Sequence, residues 1–450
     1  MAAIEWHSGS LDAAFALASA QQRPVFLYWG AGWCPPCNRV KSEIFARDQF
    51  QQRMAQLLPY HLDGDSAGAQ ALAARYQLRS YPTLVLFAPD GREITRLPCE
   101  LDGELFTAAL DGALSVWRAA SSAAQALEAA LTGSRALSHA EWSLLSHYSW
   151  DTDETALLGG RDLSATLAAL AARAAAAGAS AAAARLGLGA QLAAGTHGEA
   201  ASNAAALLAV CGDARMARAN LDILTNSGIN LIKFATRREE LVAALHRVAA
   251  AWADDFWLSA PDRLMALRLQ MRLTRLVVAT TGLQEQWRVR VEEALAASSD
   301  PYERHTLVNT AVSALNDAGL PQLAEQVLQA ELRRSHSPYY FMLSLAAAAK
   351  RRGDSAGVLN WYEQAAAAAV GPATRIQWSA TCLSSLLDLS PQDAPRIERA
   401  AQVLLADISA TADAFFQRNL SQLQKLAPKL SAQAPGEHSR ALLQAIQGAH

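Results

Sequence analysis

Two cysteines separated by two prolines, Cys34-Pro35-Pro36-Cys37, are the residues best placed by type and spacing to do chemistry in this 450-residue chain. They follow Tyr28-Trp29-Gly30-Ala31-Gly32-Trp33, so the pair falls between an apolar run of strand length and the start of a helix. Proline is tolerated in a first helical turn, which suits Pro35 and Pro36. A helix N-terminus presents unpaired N–H groups and roughly half a positive charge. That setting favours a thiolate over a thiol, so Cys34 is expected to have a lowered pKa. Cys37, one turn along, is placed to reach back and close a small ring. Attack by one thiolate on a disulfide gives a mixed disulfide, and attack by the second resolves it.

The same spacing occurs in zinc sites, which need two further Cys or His ligands at suitable intervals. No second C-x-x-C is present, and no metal site is expected. The other cysteines, Cys99, Cys211 and Cys382, stand alone, and five over this length make no disulfide framework. Cys99, next to Glu100, is either a third redox thiol or an inert buried one. Cys211 and Cys382 lie in helical patterns and are expected to pack in cores. Trp29 reads as core, and Trp33 is expected to shape the surface around Cys34. The remaining tryptophans are expected to pack helices. Asp151, Asp153 and Glu154, beside Trp150, read as a solvated loop in preference to a metal site. No organic cofactor is implied, because the cysteines hold the electrons themselves.

The elements around the pair alternate. Leu11 to Gln21 reads as a short helix with Ser10 as N-cap. Pro24 to Trp29 is a continuous apolar run, as a buried central strand requires. A helix begins near Pro35 or Pro36, with Val40, Ile44 and Phe45 at helical spacing. Leu57 to Leu62 reads as a strand and Ala67 to Tyr76 as a helix. Thr83 to Phe87 is a strand, Pro89-Asp90-Gly91 a turn, and Arg92 to Leu97 the paired strand. Leu101 to Trp117 closes the unit as a helix. The expected order is strand–helix–strand–helix–strand–helix–strand–strand–helix, an α/β arrangement over residues 1–118.

From residue 119 to 450 strand patterns almost vanish, and alanine, leucine and arginine dominate. Alanine has the highest helix propensity, so even Leu167 to Ala184 is expected to be helical rather than low-complexity chain. Gly319 and Gly353 lie 34 residues apart. Superposing them places Val308 on Met342, Leu315 on Ala349, Ala324 on Val358 and Leu328 on Tyr362. Around Cys211-Gly212-Asp213, the residues Ala205, Ala217 and Leu221 fit the same offsets. Such a helix–turn–helix period resembles tetratricopeptide repeats. An irregular helical bundle is the alternative reading.

Length suggests about two to four domains of roughly 100–200 residues each. Half of the residues are hydrophobic (51%), enough for a sizeable core, and the formal net charge of −3 comes with no polyionic tract. A nucleic-acid binder would show a basic face, so none is expected. No apolar run approaches the roughly 18 residues that span a bilayer. The opening Met1-Ala2-Ala3-Ile4-Glu5-Trp6-His7 has neither the charged nor the apolar region of a secretory signal. A chain from which a signal had been removed would look the same.

Trp33-Cys34-Pro35-Pro36-Cys37 resembles the W-C-x-x-C active site of the thioredoxin superfamily. Ser80-Tyr81-Pro82-Thr83, leading into Leu84-Val85-Leu86-Phe87, resembles that family's proline loop. The resemblance runs over about residues 5–118. It implies a cis peptide bond before Pro82, beside the reactive pair. It implies Cys34 and Cys37 as the catalytic residues, with Trp33, Pro35, Pro36, Tyr81 and Pro82 meeting the substrate. One departure stands out. Classical thioredoxin has a buried carboxylate six residues before its first active-site cysteine, where this chain has Tyr28. Asp63 or His61 are candidates to replace it as base for Cys37, and otherwise are ordinary strand-end residues.

Trp6, Ala13-Ala14-Phe15, Arg23-Pro24-Val25-Phe26-Leu27-Tyr28 and Gly30-Ala31-Gly32-Trp33-Cys34-Pro35-Pro36-Cys37 are similar to the thioredoxin-like domains of bacterial envelope thiol-disulfide interchange proteins. That likeness implies a periplasmic location, with the cytoplasm as alternative, and a reductase or isomerase acting on client protein thiols or disulfides. It implies a redox partner that supplies or removes electrons. The helical region is expected to offer a surface for a client or partner, or Ala-rich faces that hold a homodimer. In the rival reading the helices are a scaffold or chaperone-like platform, and the thioredoxin domain is a redox switch or docking fold.

Overall fold

Apolar runs become buried strands and amphipathic runs become helices in the computed structural model, which describes residues 4–153, 156–195, 204–233, 235–277, 282–433 and 436–449. Helix α1 is Leu11–Gln21, and the Ser10 hydroxyl caps it by accepting from the Ala13 N–H at 3.1 Å. Then come β1 (Val25–Gly30), α2 (Pro35–Arg39), a π-helical stretch Val40–Phe45, α3 (Asp48–Met54), β2 (Leu58–Asp63) and α4 (Ala69–Arg75). Strands β3 (Thr83–Phe87) and β4 (Glu93–Leu97) and helix α5 (Gly103–Arg118) follow. The four strands form one mixed sheet in the order β2-β1-β3-β4. Strands β3 and β4 pair antiparallel, Leu84 opposite Leu97, with a bulge between Leu86 and Phe87. Gly91 turns the hairpin at φ +85°.

The expected first strand is not there. Residues 4–10 have no regular element; the His7 N–H donates to the Pro59 carbonyl at 2.9 Å, and the Trp6 ring packs against Tyr28 at 6.1 Å and Phe45 at 5.4 Å. The helix after the cysteines also departs from a plain α-helix, since it widens into the π-helical stretch while still burying Val40, Ile44 and Phe45.

After α5 every described element is a helix. Leu167 to Ala184 is not one helix but two, Leu163–Ala176 and Ser180–Gly195. Gly178 breaks it at φ +75°, and the Ala179 N–H reaches back to the Ala174 carbonyl, the bond pattern of a left-handed helix stop. Gly319 (φ +79°) follows the end of the helix Pro301–Asp317, and Gly353 (φ +73°) turns the hairpin of Pro338–Arg351 with Ser355–Ala368. Of the superposed positions, Val308, Leu315, Ala324, Leu328, Ala349 and Val358 are buried, Met342 and Tyr362 are half-buried, and Ala205 is exposed. At Cys211-Gly212-Asp213 the turn is followed only by the short helix Ala214–Arg218.

By internal packing the chain falls into two units: Met1–Tyr28, Asn38–Tyr60 and Thr83–Leu320 form one, and Trp29–Cys37, His61–Pro82 and Pro321–His450 the other. The first holds buried charge. Arg39 donates to Glu43 at 3.0 Å and to Asp262 at 2.5 Å, and the Ser259 hydroxyl oxygen lies 2.9 Å from an oxygen of each carboxylate. Asp153, expected in a solvated loop, is instead buried with Arg96 at 3.6 Å, because a guanidinium at the sheet needs a carboxylate once desolvated. Asp151 accepts from the Ser149 hydroxyl at 2.9 Å, and Glu154 lies outside the described residues. Trp257 departs from the packing expectation: it is 84% exposed beside Phe256.

His147 in the same unit sets a pH dependence. Burial, and then the Arg185 guanidinium, push its imidazole down to about 4. An unfolded histidine titrates near ~6.5, so between pH 6.5 and 4 the unfolded chain takes up a proton that the folded chain refuses. The stability tied to neutral His147 is therefore present above ~6.5 and lost as the pH falls, by about 3 kcal/mol. In urea unfolding at pH 7 and pH 4, the wild type is expected to lose that much more stability than His147→Asn. Equal losses in the two proteins would remove His147 from the account.

Candidate active site

Cys34 stands at the first turn of α2, and the Cys37 N–H donates to its Sγ at 3.3 Å. The sulfur thus takes the place of a capping oxygen at a helix start, where N–H donors and the helix field favour negative charge. Both thiols are buried, Cys34 at 3% exposure and Cys37 at 0%. The Tyr81–Pro82 peptide bond is cis, as the proline-loop resemblance implies. Tyr81 packs edge-on against Trp29 at 4.5 Å and Trp33 at 5.8 Å between ring centres. Burial drives its phenol pKa well above the usual value, so it stays neutral. The sequence candidates therefore converge: Trp33 and the start of α2 carry the pair, and the Tyr81–Pro82 turn borders it.

Trp33 does not shape an open surface; only 8% of it is exposed. Its Nε1–H donates to the Thr374 hydroxyl at 2.8 Å. Its ring stacks on Tyr340 at 6.0 Å and meets Trp378 edge-on at 4.6 Å. The Thr374 hydroxyl donates to Asp65 at 2.6 Å, and the Thr374 N–H to the other Asp65 oxygen at 2.7 Å. Asp65 so caps the helix Pro372–Leu389 from outside, carboxylate against N-terminus. The Arg418 guanidinium lies 4.4 Å from the Tyr81 ring centre, within cation–π range. Its backbone N–H donates to Gln70 Oε1 at 3.2 Å, and Gln70 Nε2 donates to the Tyr81 hydroxyl at 3.0 Å. His336 Nε2 donates to the Gly32 carbonyl at 3.0 Å. Burial pushes the Tyr340 phenol up to about 12, and the Cys34 sulfur adds to that.

Tyr340, Thr374, Trp378 and Arg418 were not signalled by the sequence. They are ordinary helix residues 303 to 381 positions beyond Cys37, and no local pattern marks them. Tyr28 is 1% exposed and packs edge-on against Phe45 at 5.1 Å, so the place of the family carboxylate is filled by an aromatic core. Asp63 accepts from the Asp65 N–H at 3.0 Å, a turn-forming bond. Cys99 is buried and its thiol donates to Glu100. Cys382 is buried among Leu383, Leu386, Ile397 and Leu404, and burial pushes its thiol up to about 12. Cys211 is half-buried, its thiol likewise pushed up to about 11.

Residues 11–114 match the family described as "Thioredoxin-like domain". This region is therefore a thioredoxin-like domain, followed by an all-helical region. Part of the chain is 31% identical over 112 residues to "Thiol:disulfide interchange protein DsbD 1" of Pseudomonas aeruginosa, covering 24% of this chain and 19% of that protein. It is 32% identical over 81 residues to "Thiol:disulfide interchange protein DsbD" of Yersinia pestis, covering 18% and 14%. It is 33% identical over 81 residues to the protein of that name in Cronobacter sakazakii, with the same coverage. The chain thus spans a fifth or less of the length of these curated relatives. Among the described residues no helix is long and apolar enough to cross a membrane.

Proposed function

We propose that this protein is a thiol-disulfide oxidoreductase that exchanges the Cys34–Cys37 pair with client protein thiols, acting as a reductase or isomerase. The observation that carries the reading is the Cys37 N–H···Sγ Cys34 bond at a helix start. In the reductive direction the Cys34 thiolate attacks one sulfur of a client disulfide, the S–S bond breaks, and the other client sulfur leaves as a thiolate. The Cys37 thiolate then attacks Cys34, the mixed disulfide breaks, and the second client sulfur leaves. Two electrons pass to the client, and the chain is left with a Cys34–Cys37 disulfide, to be reduced by a dithiol donor. Trp33, Pro35, Pro36, Tyr81 and Pro82 form the wall against which the client lies. The division into a thioredoxin-like domain, 1–118, and a helical, tetratricopeptide-like interaction domain, 119–450, belongs to the same reading. So does a periplasmic location, which rests on the resemblance to bacterial envelope thiol-disulfide interchange proteins.

Titration of the pair against glutathione or dithiothreitol buffers tests it, with Cys34→Ser as control. A potential near about −270 mV is expected for a reductase, whereas a value near about −120 mV would make the protein an oxidant. If no reversible two-electron couple appears, the oxidoreductase reading fails.

A further inference from the structure

A dithiol that exchanges with protein disulfides has to meet a second polypeptide, yet Cys34 is 3% exposed and Cys37 0%. The cover comes from the C-terminal helices of their own packing unit. Pro338–Arg351 brings Tyr340 onto Trp33, Pro372–Leu389 brings Thr374 and Trp378, and Gln417–Gln433 brings Arg418 over Tyr81. These are the two segments, the active-site turn and the cis-proline turn, that the proposed function assigns to the client. The contacts at the centre are mixed: Trp33 donates to Thr374 and Thr374 donates twice to Asp65, while the Trp33 ring packs on Tyr340 and Trp378. Further along, Gln417 Nε2 donates to the carbonyls of Ala73 at 3.1 Å and Leu78 at 2.8 Å, and the Gln70 N–H donates to Asp413 at 2.8 Å. Exchange of these hydrogen bonds for water carries only a modest net cost. The approach is also tight. Gly371 sits at φ +97°, and a Cβ there would fall 2.2 Å from the Asp65 carboxyl carbon.

We propose that these helices are a built-in cap on the Cys34–Cys37 site, latched at Thr374, and that the chain meets a protein disulfide only after the cap opens. The inference rests on the thiol-disulfide reading of that site. Thr374 is a positioning residue: it holds Trp33 and Asp65 together and touches no reacting sulfur.

Labelling of reduced, full-length protein tests it. Cys34 modification by iodoacetamide and by a 5-kDa maleimide polymer is followed by peptide mass mapping, each rate divided by that of a small model thiol. Opening-limited access predicts at least ten-fold protection in wild type, the same for both reagents, and a rise in rate with sub-denaturing urea. Thr374→Val and, independently, Gly371→Ala are expected to speed both reagents ten-fold or more while circular dichroism stays native. Wild-type protection below ten-fold would overturn the cap. So would rapid entry of iodoacetamide with exclusion of the polymer, since that describes a fixed narrow channel. Rates unchanged in both folded variants would overturn the latch. The reading beneath it is judged separately: a reversible Cys34–Cys37 couple in wild type and variants upholds the exchange chemistry whatever the labelling shows.

Discussion

Cys37→Ser is expected to convert the protein from a catalyst into a trap, while Cys34→Ser leaves it inert. With Cys34 intact, the first attack proceeds and a mixed disulfide forms. Without a sulfur at 37 nothing resolves it, so each chain holds one client and turnover falls to background. With serine at 34 the attacking atom itself is gone, and Cys37, fully buried, is not placed to substitute. Insulin reduction with dithiothreitol as donor reads the loss of turnover, and non-reducing electrophoresis reads the adduct. An adduct from Cys34→Ser, or sustained turnover from Cys37→Ser, would reverse the assigned order of attack.

The largest effect on stability is expected at a buried ion pair of the helical region. Arg185 and Asp222 meet in a two-pronged bridge, Nη1 to Oδ1 at 2.9 Å and Nη2 to Oδ2 at 2.6 Å, with side chains 8% and 6% exposed. Arg185 Nε also donates to the Ser146 carbonyl at 3.0 Å. Burial alone would raise the Asp222 carboxyl pKa, but Arg185 overrides it and the net shift is downward. The bridge therefore contributes above the unfolded carboxylate value, near ~3.9, and its contribution is lost as the pH falls through the lower folded value. Asp222→Ala strands a buried guanidinium, which costs about 3–5 kcal/mol. Replacing both residues with leucine is expected to return most of that, because no charge is left unpaired. Urea midpoints for the single and double variants decide it. A loss under about 1 kcal/mol for Asp222→Ala would show that water reaches the arginine.

Local patterns carried the sheet and the reactive turn. The span of α1 and its Ser10 cap, the apolar runs of β1 and β3, and the Pro89-Asp90-Gly91 turn depend on neighbours in sequence, and the structure keeps them. The cis bond at Pro82 came with the family likeness, not with any property of Tyr81 or Pro82 alone. The misses have one cause. Whether Asp153 is solvated, or Trp33 exposed, depends on which distant segment lies over it. Arg96 and Thr374 answer those questions from 57 and 341 positions away.

The separation between Trp33 and Thr374 has a consequence for synthesis. Translation at about 5–20 residues per second makes the partner roughly 17–70 s after the tryptophan. For most of that interval, once residue 118 has been made, the thioredoxin-like portion is complete while Thr374 and Arg418 are still untranslated. A growing chain thus passes through a stage in which its dithiol is open to other thiols, and maturation of the polypeptide ends that stage by covering it.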